Sequence, residues 1–296
     1  MSDARVPVRR TAKLFIGGAF PRSESGRSYQ VFAHDGRPLA HVAHASRKDL
    51  RDAVVAARAA QPAWASMTAY NRGQILYRVA ELMEGRRAQF ADEVAAAEGI
   101  SPGRARDLVA RSIDRWVWYA GWADKIVQVL GSVNPVAAPY FNFTIPEPTG
   151  VVGIVAPESS SLLGFVSRVA PALVGGNAVV VLASETRPLP AVTLTEVLAT
   201  SDVPGGVLNL LTGFRRELVP VLAAHADVDS LDTWGVPPDL QESVEIAAAD
   251  DITRILRRPA RVTDARFDWT DDRAAERPEW IAAHLEMKTV WHPIGV

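Results

Sequence analysis

Cysteine is missing from this sequence, since none of its 296 residues is Cys. The absence excludes disulfides, metal sites with thiolate ligands and a cysteine nucleophile on this chain. An excess of either charge is also lacking, because 32 Lys and Arg residues stand against 34 Asp and Glu residues, for a formal net charge of −2. Nucleic acid is therefore not an expected partner, because phosphate binding usually requires a basic surface.

Long apolar runs are lacking too. No run reaches the ~18–20 residues that a membrane-spanning helix needs. The basic first ten residues, MSDARVPVRR, are not followed by the apolar core of a signal peptide. We therefore expect a cytoplasmic protein with no membrane partner. A hydrophobic fraction of 48% with 22% charged residues is typical of a globular chain, whose length suggests one large domain or two smaller ones.

The first half of the sequence predicts a short β-region followed by helices. Asp35-Gly36 lies between half-alternating apolar runs and predicts a β-hairpin. Ser46, with Asp49 three residues later, resembles a capping box and predicts the start of a helix. Pro62 predicts the end of that helix. Apolar periodicity predicts further helices over about 68–88, 88–98 and 102–130.

From Val151 onward, continuous apolar strands alternate with helices. This pattern predicts a doubly wound α/β fold, in which a parallel sheet is covered on both faces and binds ligands at the carboxyl ends of its strands. The predicted strands are 151–156, 178–183, 206–211 and 228–233. The Asp-rich run 264–272 does not have the spacing of a calcium loop, and we interpret 256–278 as loop.

Taken together, these segments resemble the aldehyde dehydrogenase superfamily. The stretches that carry the resemblance include LFIGGAF (14–20), PYFNFTIPEPTGVVGIVAP (139–157), APALVGGNAVVV (170–181) and VPGGVLNLLTG (203–213). The resemblance implies a Rossmann-like sheet with N-terminal helices and strands that join subunits. The activity it implies is NAD(P)-dependent aldehyde oxidation through a cysteine thiolate, and the missing cysteine removes that nucleophile.

The other groups of the family mechanism are altered here. Ser159 occupies the position of the family asparagine that helps to hold the oxyanion, so no catalytic residue is assigned. Leu182 replaces the lysine of the family's Lys-Pro-Ser-Glu stretch, whereas Ser184 and Glu185 remain as vestigial cofactor-binding candidates. An alternative for Glu185 is a solvated charge at the end of a strand.

Gly235 is the third vestigial cofactor-binding candidate. In the family it opens a glycine-rich turn that lets backbone N–H groups approach a pyrophosphate. Here Pro237 and Pro238 each remove a donor, and Asp239 adds a negative charge. These departures from the family pattern predict weak NAD(P) binding or none, and the spacing of the histidines and acidic residues predicts no metal site.

The end of the sequence resembles the family's C-terminal segment, which joins subunits by strand pairing. Because the region expected to carry the catalytic domain is missing between the two matches, we expect an internal deletion that keeps the oligomerisation elements at 139–148 and 286–294. Two such edge strands favour aggregation when they are exposed, so we expect each of them to pair with another strand. The predicted oligomerisation residues are Tyr140, Phe141, Asn142, Phe143, Lys288, Thr289, Val290 and Trp291.

The resemblance divides the chain into five parts. These are an N-terminal hairpin and helical part (1–138), a linker strand (139–149), a Rossmann-like sheet (150–255), a loop (256–279) and a C-terminal oligomerisation segment (280–296). The first hypothesis is a catalytically inactive subunit that assembles with itself or with a full-length aldehyde dehydrogenase, and organises or regulates it. The second hypothesis is an NAD(P)-binding oxidoreductase with residual or shared-site activity, and the third is a remnant with no role.

Overall fold

The computed structural model describes residues 10–259 and 262–295, and the first strands in it form a small sheet. Residues 1–9, 260–261 and 296, which include most of the basic N-terminal stretch, lie outside the described residues. The sheet has the order β1-β3-β2, with β1 at Arg10–Ala12, β2 at Ser28–Phe32 and β3 at Pro38–Ala43. The predicted hairpin is confirmed, because β2 and β3 are antiparallel and Gly36 adopts a φ of +82° in the turn between them.

Four long helices follow this sheet. They are α1 (Arg47–Ser66), α2 (Ala69–Glu84), α3 (Arg87–Glu98) and α4 (Pro102–Ala120). The capping box is confirmed, since Ser46 and Asp49 bond each other's backbone N–H. The predicted end at Pro62 is wrong, because α1 continues for four residues beyond it. The buried Trp64 holds this last turn in place by donating from Nε1 to the carbonyl of Leu173 at 2.9 Å.

The second half of the chain forms a five-stranded parallel sheet with the order β10-β9-β6-β7-β8. Its strands are β6 (Val151–Val155), β7 (Ala178–Leu182), β8 (Leu208–Leu211), β9 (Ser230–Asp232) and β10 (Arg254–Leu256). The connecting helices are α6 (Leu163–Val174), α7 (Leu189–Leu198), α8 (Arg215–Ala223) and α9 (Gln241–Asp250). The predicted α/β fold class is confirmed. The fifth strand was not predicted, because β10 has three residues flanked by polar and charged ones.

A second three-stranded sheet joins distant parts of the sequence. Its order is β11-β5-β4, with β4 at Ser132–Asn134 after the short helix α5 (Ile126–Leu130), β5 at Tyr140–Pro148 and β11 at Leu285–Pro293. The two predicted edge strands therefore pair with each other, antiparallel over nine residues. The segment 256–278, which we interpreted as loop, contains the short helix α10 (Asp272–Ala275), and a second short helix, α11 (Pro278–Ala282), begins at its end.

Candidate functional site

The predicted site residues meet at one edge of the parallel sheet. Ser159 follows β6, Ser184 and Glu185 follow β7, and Gly235 follows β9. β6 pairs with β7 on one side and with β9 on the other. The strands that follow β6 in sequence are thus added first on one side of it and then on the other, so the strand order reverses at β6. Parallel sheets bind ligands at such a switch point, outside the carboxyl ends of the strands.

The carboxylate of Glu158 organises the β7 side of this edge. It accepts hydrogen bonds from the Ser184 hydroxyl (2.8 Å) and from the backbone N–H groups of Glu185 and Thr186 (2.9 Å each). The Arg215 guanidinium lies 2.8 Å from it. Burial alone would raise the pKa of Glu158, but Arg215 and the hydrogen bonds offset this effect, and the pKa lies below its usual value. Ser184 is therefore engaged inside the protein.

Glu185 lies beside an open cleft of about 510 Å³ that Phe214 and Pro237 also line. Its carboxylate accepts one hydrogen bond, at 2.9 Å, from the backbone N–H of Arg215 at the start of α8. The side chain is partly exposed and lines this cleft. Glu185 therefore remains the predicted residue best placed to contact a ligand.

Gly235 has a structural reason to be glycine. An added Cβ would lie 2.0 Å from the carbonyl oxygen of Ala156, so the backbones of the two loops approach too closely for a side chain. Its N–H donates to the carbonyl of Val155 at 2.9 Å, and its carbonyl accepts from Arg215 at 2.9 Å. Its backbone groups are thus already used, and Asp239, farther along the turn, pairs with Arg216.

Ser159 lies under a segment that sequence reasoning interpreted as plain loop. The Asp264 carboxylate accepts from the backbone N–H groups of Glu158 and Ser159, both at 2.8 Å. The Ser159 hydroxyl lies 3.0 Å from the same carboxylate and 2.9 Å from the Asp264 carbonyl. Trp234 Nε1 donates to the carboxylate at 3.0 Å. The chain itself therefore covers the crevice between β6 and β9.

Aromatic side chains fix this covering segment in place. The four rings that pack together are those of Trp234, Phe267, Trp269 and Trp280. The Arg168 guanidinium lies over the rings of Trp234 and Trp280, at 5.0 and 4.4 Å from their centroids. It also pairs with Asp232 at 2.5 Å, and both of these side chains are buried. The sequence did carry a signal for this packing. It is the presence of three large aromatic residues, Phe267, Trp269 and Trp280, in a segment of little periodicity.

The three-stranded sheet brings the predicted oligomerisation residues into one ladder. Phe143 lies opposite Val290, Asn142 opposite Trp291, and Thr289 opposite Thr144. Neighbouring pairs cross the sheet as well: Tyr140 packs edge-on against Trp291, Phe141 lies opposite His292, and Lys288 donates to Glu147 at 2.9 Å. All of these contacts lie within one chain. That the eight residues also join subunits therefore stays a prediction.

Residues 20–256 match the protein-family model described as "Aldehyde dehydrogenase family". The chain belongs to this family. Benzaldehyde dehydrogenase, mitochondrial, of Antirrhinum majus is 35% identical over 248 residues, which make up 81% of this chain and 45% of the relative. The putative aldehyde dehydrogenase DhaS of Bacillus subtilis is 32% identical over 256 residues, or 84% of this chain and 50% of the relative. The resemblance predicted from the sequence is confirmed.

Solved structures of the aldehyde dehydrogenase family share the fold. An NAD⁺ complex of an aldehyde dehydrogenase from Bacillus cereus superposes with a TM-score of 0.78 at 28% identity, covering 83% of this chain and 50% of that one. HpcC from Thermus thermophilus superposes with a TM-score of 0.79 at 32% identity, covering 83% and 47%. The chain thus spans about half the length of these relatives.

NAD(P) is the cofactor that the family resemblance implies, and the described residues suit only its adenosine ribose. The open cleft beside Glu185 offers a carboxylate acceptor for ribose hydroxyls. The turn after Gly235 lacks the backbone donors a pyrophosphate needs, since Pro237 and Pro238 have no N–H and the Gly235 N–H is engaged. Asp264 fills the crevice next to it. At this turn a pyrophosphate therefore meets two prolines without N–H groups, an engaged N–H of Gly235 and the carboxylate of Asp264.

Within residues 10–259 and 262–295, no helix is both long enough and apolar enough to cross a membrane. No group of three or more His, Asp or Glu side chains in the same residues has the arrangement of a metal site.

Proposed function

We propose that this chain is a non-catalytic member of the aldehyde dehydrogenase family that assembles with a full-length relative and organises or regulates it. The 296 residues contain no thiol. The hydroxyl of Ser159, at the family's asparagine position, is engaged by Asp264 rather than free to hold an oxyanion. Both points support a chain that does not oxidise aldehydes by itself.

The observation that carries the proposal is the three-stranded sheet. Fifteen large apolar side chains are exposed within the described residues, and eight of them lie on this sheet or on its flanking segments. They are Val127, Val129, Val133, Tyr140, Phe141, Met287, Trp291 and Ile294. An exposed apolar concentration of this kind marks an interaction surface.

The sheet also offers a backbone edge for strand pairing. Within residues 10–259 and 262–295, β11 has β5 on one side and no strand on the other. An open strand edge accepts a strand from a second chain through main-chain hydrogen bonds. The family resemblance implies that the corresponding segments join subunits, which supports a relative, or a second copy of this chain, as the partner.

Association is tested by size-exclusion chromatography with light scattering, using this chain alone and mixed with full-length aldehyde dehydrogenases of the same genome. We expect a stable complex with a relative, and a homo-oligomer that binds no relative would contradict this choice of partner. Trp291→Asp, on β11 and 57% exposed, should prevent association. Tyr70→Asp is the matched control, because Tyr70 is 66% exposed on α2, which is not part of the sheet. A stable monomer that binds no relative overturns the proposal.

A second candidate function is an NAD(P)-binding oxidoreductase with residual or shared-site activity, and the open cleft beside Glu185 favours it. Calorimetric titration with NAD and NADP separates the two functions. The first predicts weak binding or none, because Asp264 and the two prolines oppose a dinucleotide. Micromolar affinity, or aldehyde turnover by rigorously purified protein, would instead support the second function.

A further inference from the structure

Four hydrogen-bond donors converge at the carboxyl end of β6. They are the backbone N–H groups of Glu158 and Ser159, the Ser159 hydroxyl and the indole Nε1–H of Trp234, and we call them the β6 nest. The Asp264 carboxylate occupies the nest. Its Oδ2 accepts both backbone N–H groups at 2.8 Å, and its Oδ1 accepts the hydroxyl and the indole at 3.0 Å.

The chemistry of the nest suits an anion with two oxygens. Adjacent backbone N–H groups that point to one place form a recurrent anion-binding concavity. Hydrogen bonds from neutral donors to a carboxylate are stronger than those between two neutral groups. The Ser159 hydroxyl divides its single proton between Oδ1 and the Asp264 carbonyl, so three N–H donors are dedicated to the carboxylate.

The segment that supplies the carboxylate has an anchor of its own. Phe267 lies 4.9 Å and Trp269 4.8 Å from the Trp234 ring, measured between centroids. Trp269 is buried. The backbone of 262–269 is therefore held by aromatic packing as well as by Asp264, and truncation of Asp264 leaves room for a small anion beneath it.

We propose that the β6 nest is a binding site for a small carboxylate such as formate or acetate, and that the chain fills it with its own Asp264. Residues 262–269 thereby act as a built-in plug of the crevice between β6 and β9. An external carboxylate has room in the nest only when the Asp264 carboxylate is absent from it. The proposal does not depend on a partner subunit or on NAD(P).

Chemical rescue tests the site. The melting temperature of Asp264→Ala is measured at rising sodium formate, with sodium chloride at the same ionic strength as the reference. We expect a saturable rise of about 2 °C or more in formate over chloride, because a ligand that binds only the folded state stabilises it. The wild-type protein should show no such rise, because Asp264 already fills the nest.

Asp268→Ala is the matched control. Asp268 lies in the same segment, and the hydrogen bonds recorded to its side chain among the described residues come from Thr270. We expect it to melt at the same temperature in formate and in chloride. An equal rise in this variant, or none in Asp264→Ala, overturns the proposal.

A donor deletion identifies the nest as the place of binding. Adding Ser159→Ala to Asp264→Ala removes one donor and should weaken the apparent formate affinity about tenfold, the factor that 1.4 kcal/mol represents. An unchanged affinity overturns the assignment. If Asp264→Ala does not fold in chloride, its refolding yield is compared in formate and chloride: a formate-dependent yield supports the nest, and equal failure contradicts it.

Discussion

Arg168→Met is the perturbation whose effect the structure defines most sharply. Arg168 is 2% exposed and forms an ion pair with Asp232, which is 1% exposed. Methionine preserves much of the apolar volume but leaves the carboxylate of Asp232 buried without its cation. Removing one partner of a buried pair costs about 3–5 kcal/mol. The lost contacts with the rings of Trp234 and Trp280 act in the same direction.

The cost of this substitution should depend on pH. Burial raises the pKa of Asp232 even though Arg168 opposes this effect. Without Arg168 the folded-state pKa rises further, so the folded variant holds a proton that the unfolded chain, with an ordinary Asp pKa, has released. Its stability therefore falls as pH rises, by about 1.4 kcal/mol per pH unit while that proton stays bound. The gap to wild type should be smaller at pH 5.5 than at pH 7.5.

Urea unfolding of four proteins measures both effects. These are the wild type, Arg168→Met, Asp232→Asn and the double variant. We expect the double variant to lose about 1–3 kcal/mol less than the sum of the single losses, because the two side chains interact directly. Arg216→Met, which removes the exposed pair with Asp239, is the control and should change stability by about 0.5 kcal/mol or less. Additive losses with no pH dependence would refute the reasoning.

Three other substitutions have defined outcomes. Glu158→Gln should destabilise the fold by about 1–2 kcal/mol at pH 7. The difference in unfolding free energy from wild type should be largest above the ordinary Glu pKa of 4.5 and should vanish as pH falls through the lowered pKa of the folded state. Acid titrations followed by circular dichroism measure this dependence. Gly235→Ala should lower the melting temperature sharply or prevent folding, since its Cβ meets the Ala156 carbonyl; a melting temperature like that of wild type contradicts this account. Trp64→Ala should cost about 3–5 kcal/mol in urea unfolding, because a fully buried indole and its hydrogen bond are lost.

The parallel sheet was predictable because its strands are buried on both faces. A run such as Val151–Val155 is apolar throughout, and the alternation with helices identifies the fold class from local pattern alone. β10 escaped prediction because a three-residue edge strand with partly exposed side chains has no such pattern. The predicted end of α1 at Pro62 was wrong for a different reason. The tertiary packing of Trp64 outweighs the loss of one backbone hydrogen bond at the proline.

The sequence predicts where the candidate site lies but not which hydrogen bonds its residues form. The order of the strands places Ser159, Glu185 and Gly235 at the same edge of the sheet. Which groups these residues bond to depends on Arg215 and Asp264, which contact the site from other elements. Asp264 lies 105 residues from Ser159 in a segment without periodicity, so no local signal connects the two.

The pairing of β5 with β11 narrows the ways in which a partner can bind. β11 covers one side of β5 over nine residues, and β4 covers Asn142–Thr144 on the other, so among the described residues the open edges of this sheet are those of β4, of β11 and of the short stretch 145–148 of β5. β4 has three residues, whereas β11 has nine. Three residues give too short a ladder to offset the cost of ordering an added strand, whereas nine match or exceed a typical strand. If a partner adds a strand, it should therefore add it along β11, beside the exposed Trp291 and Met287.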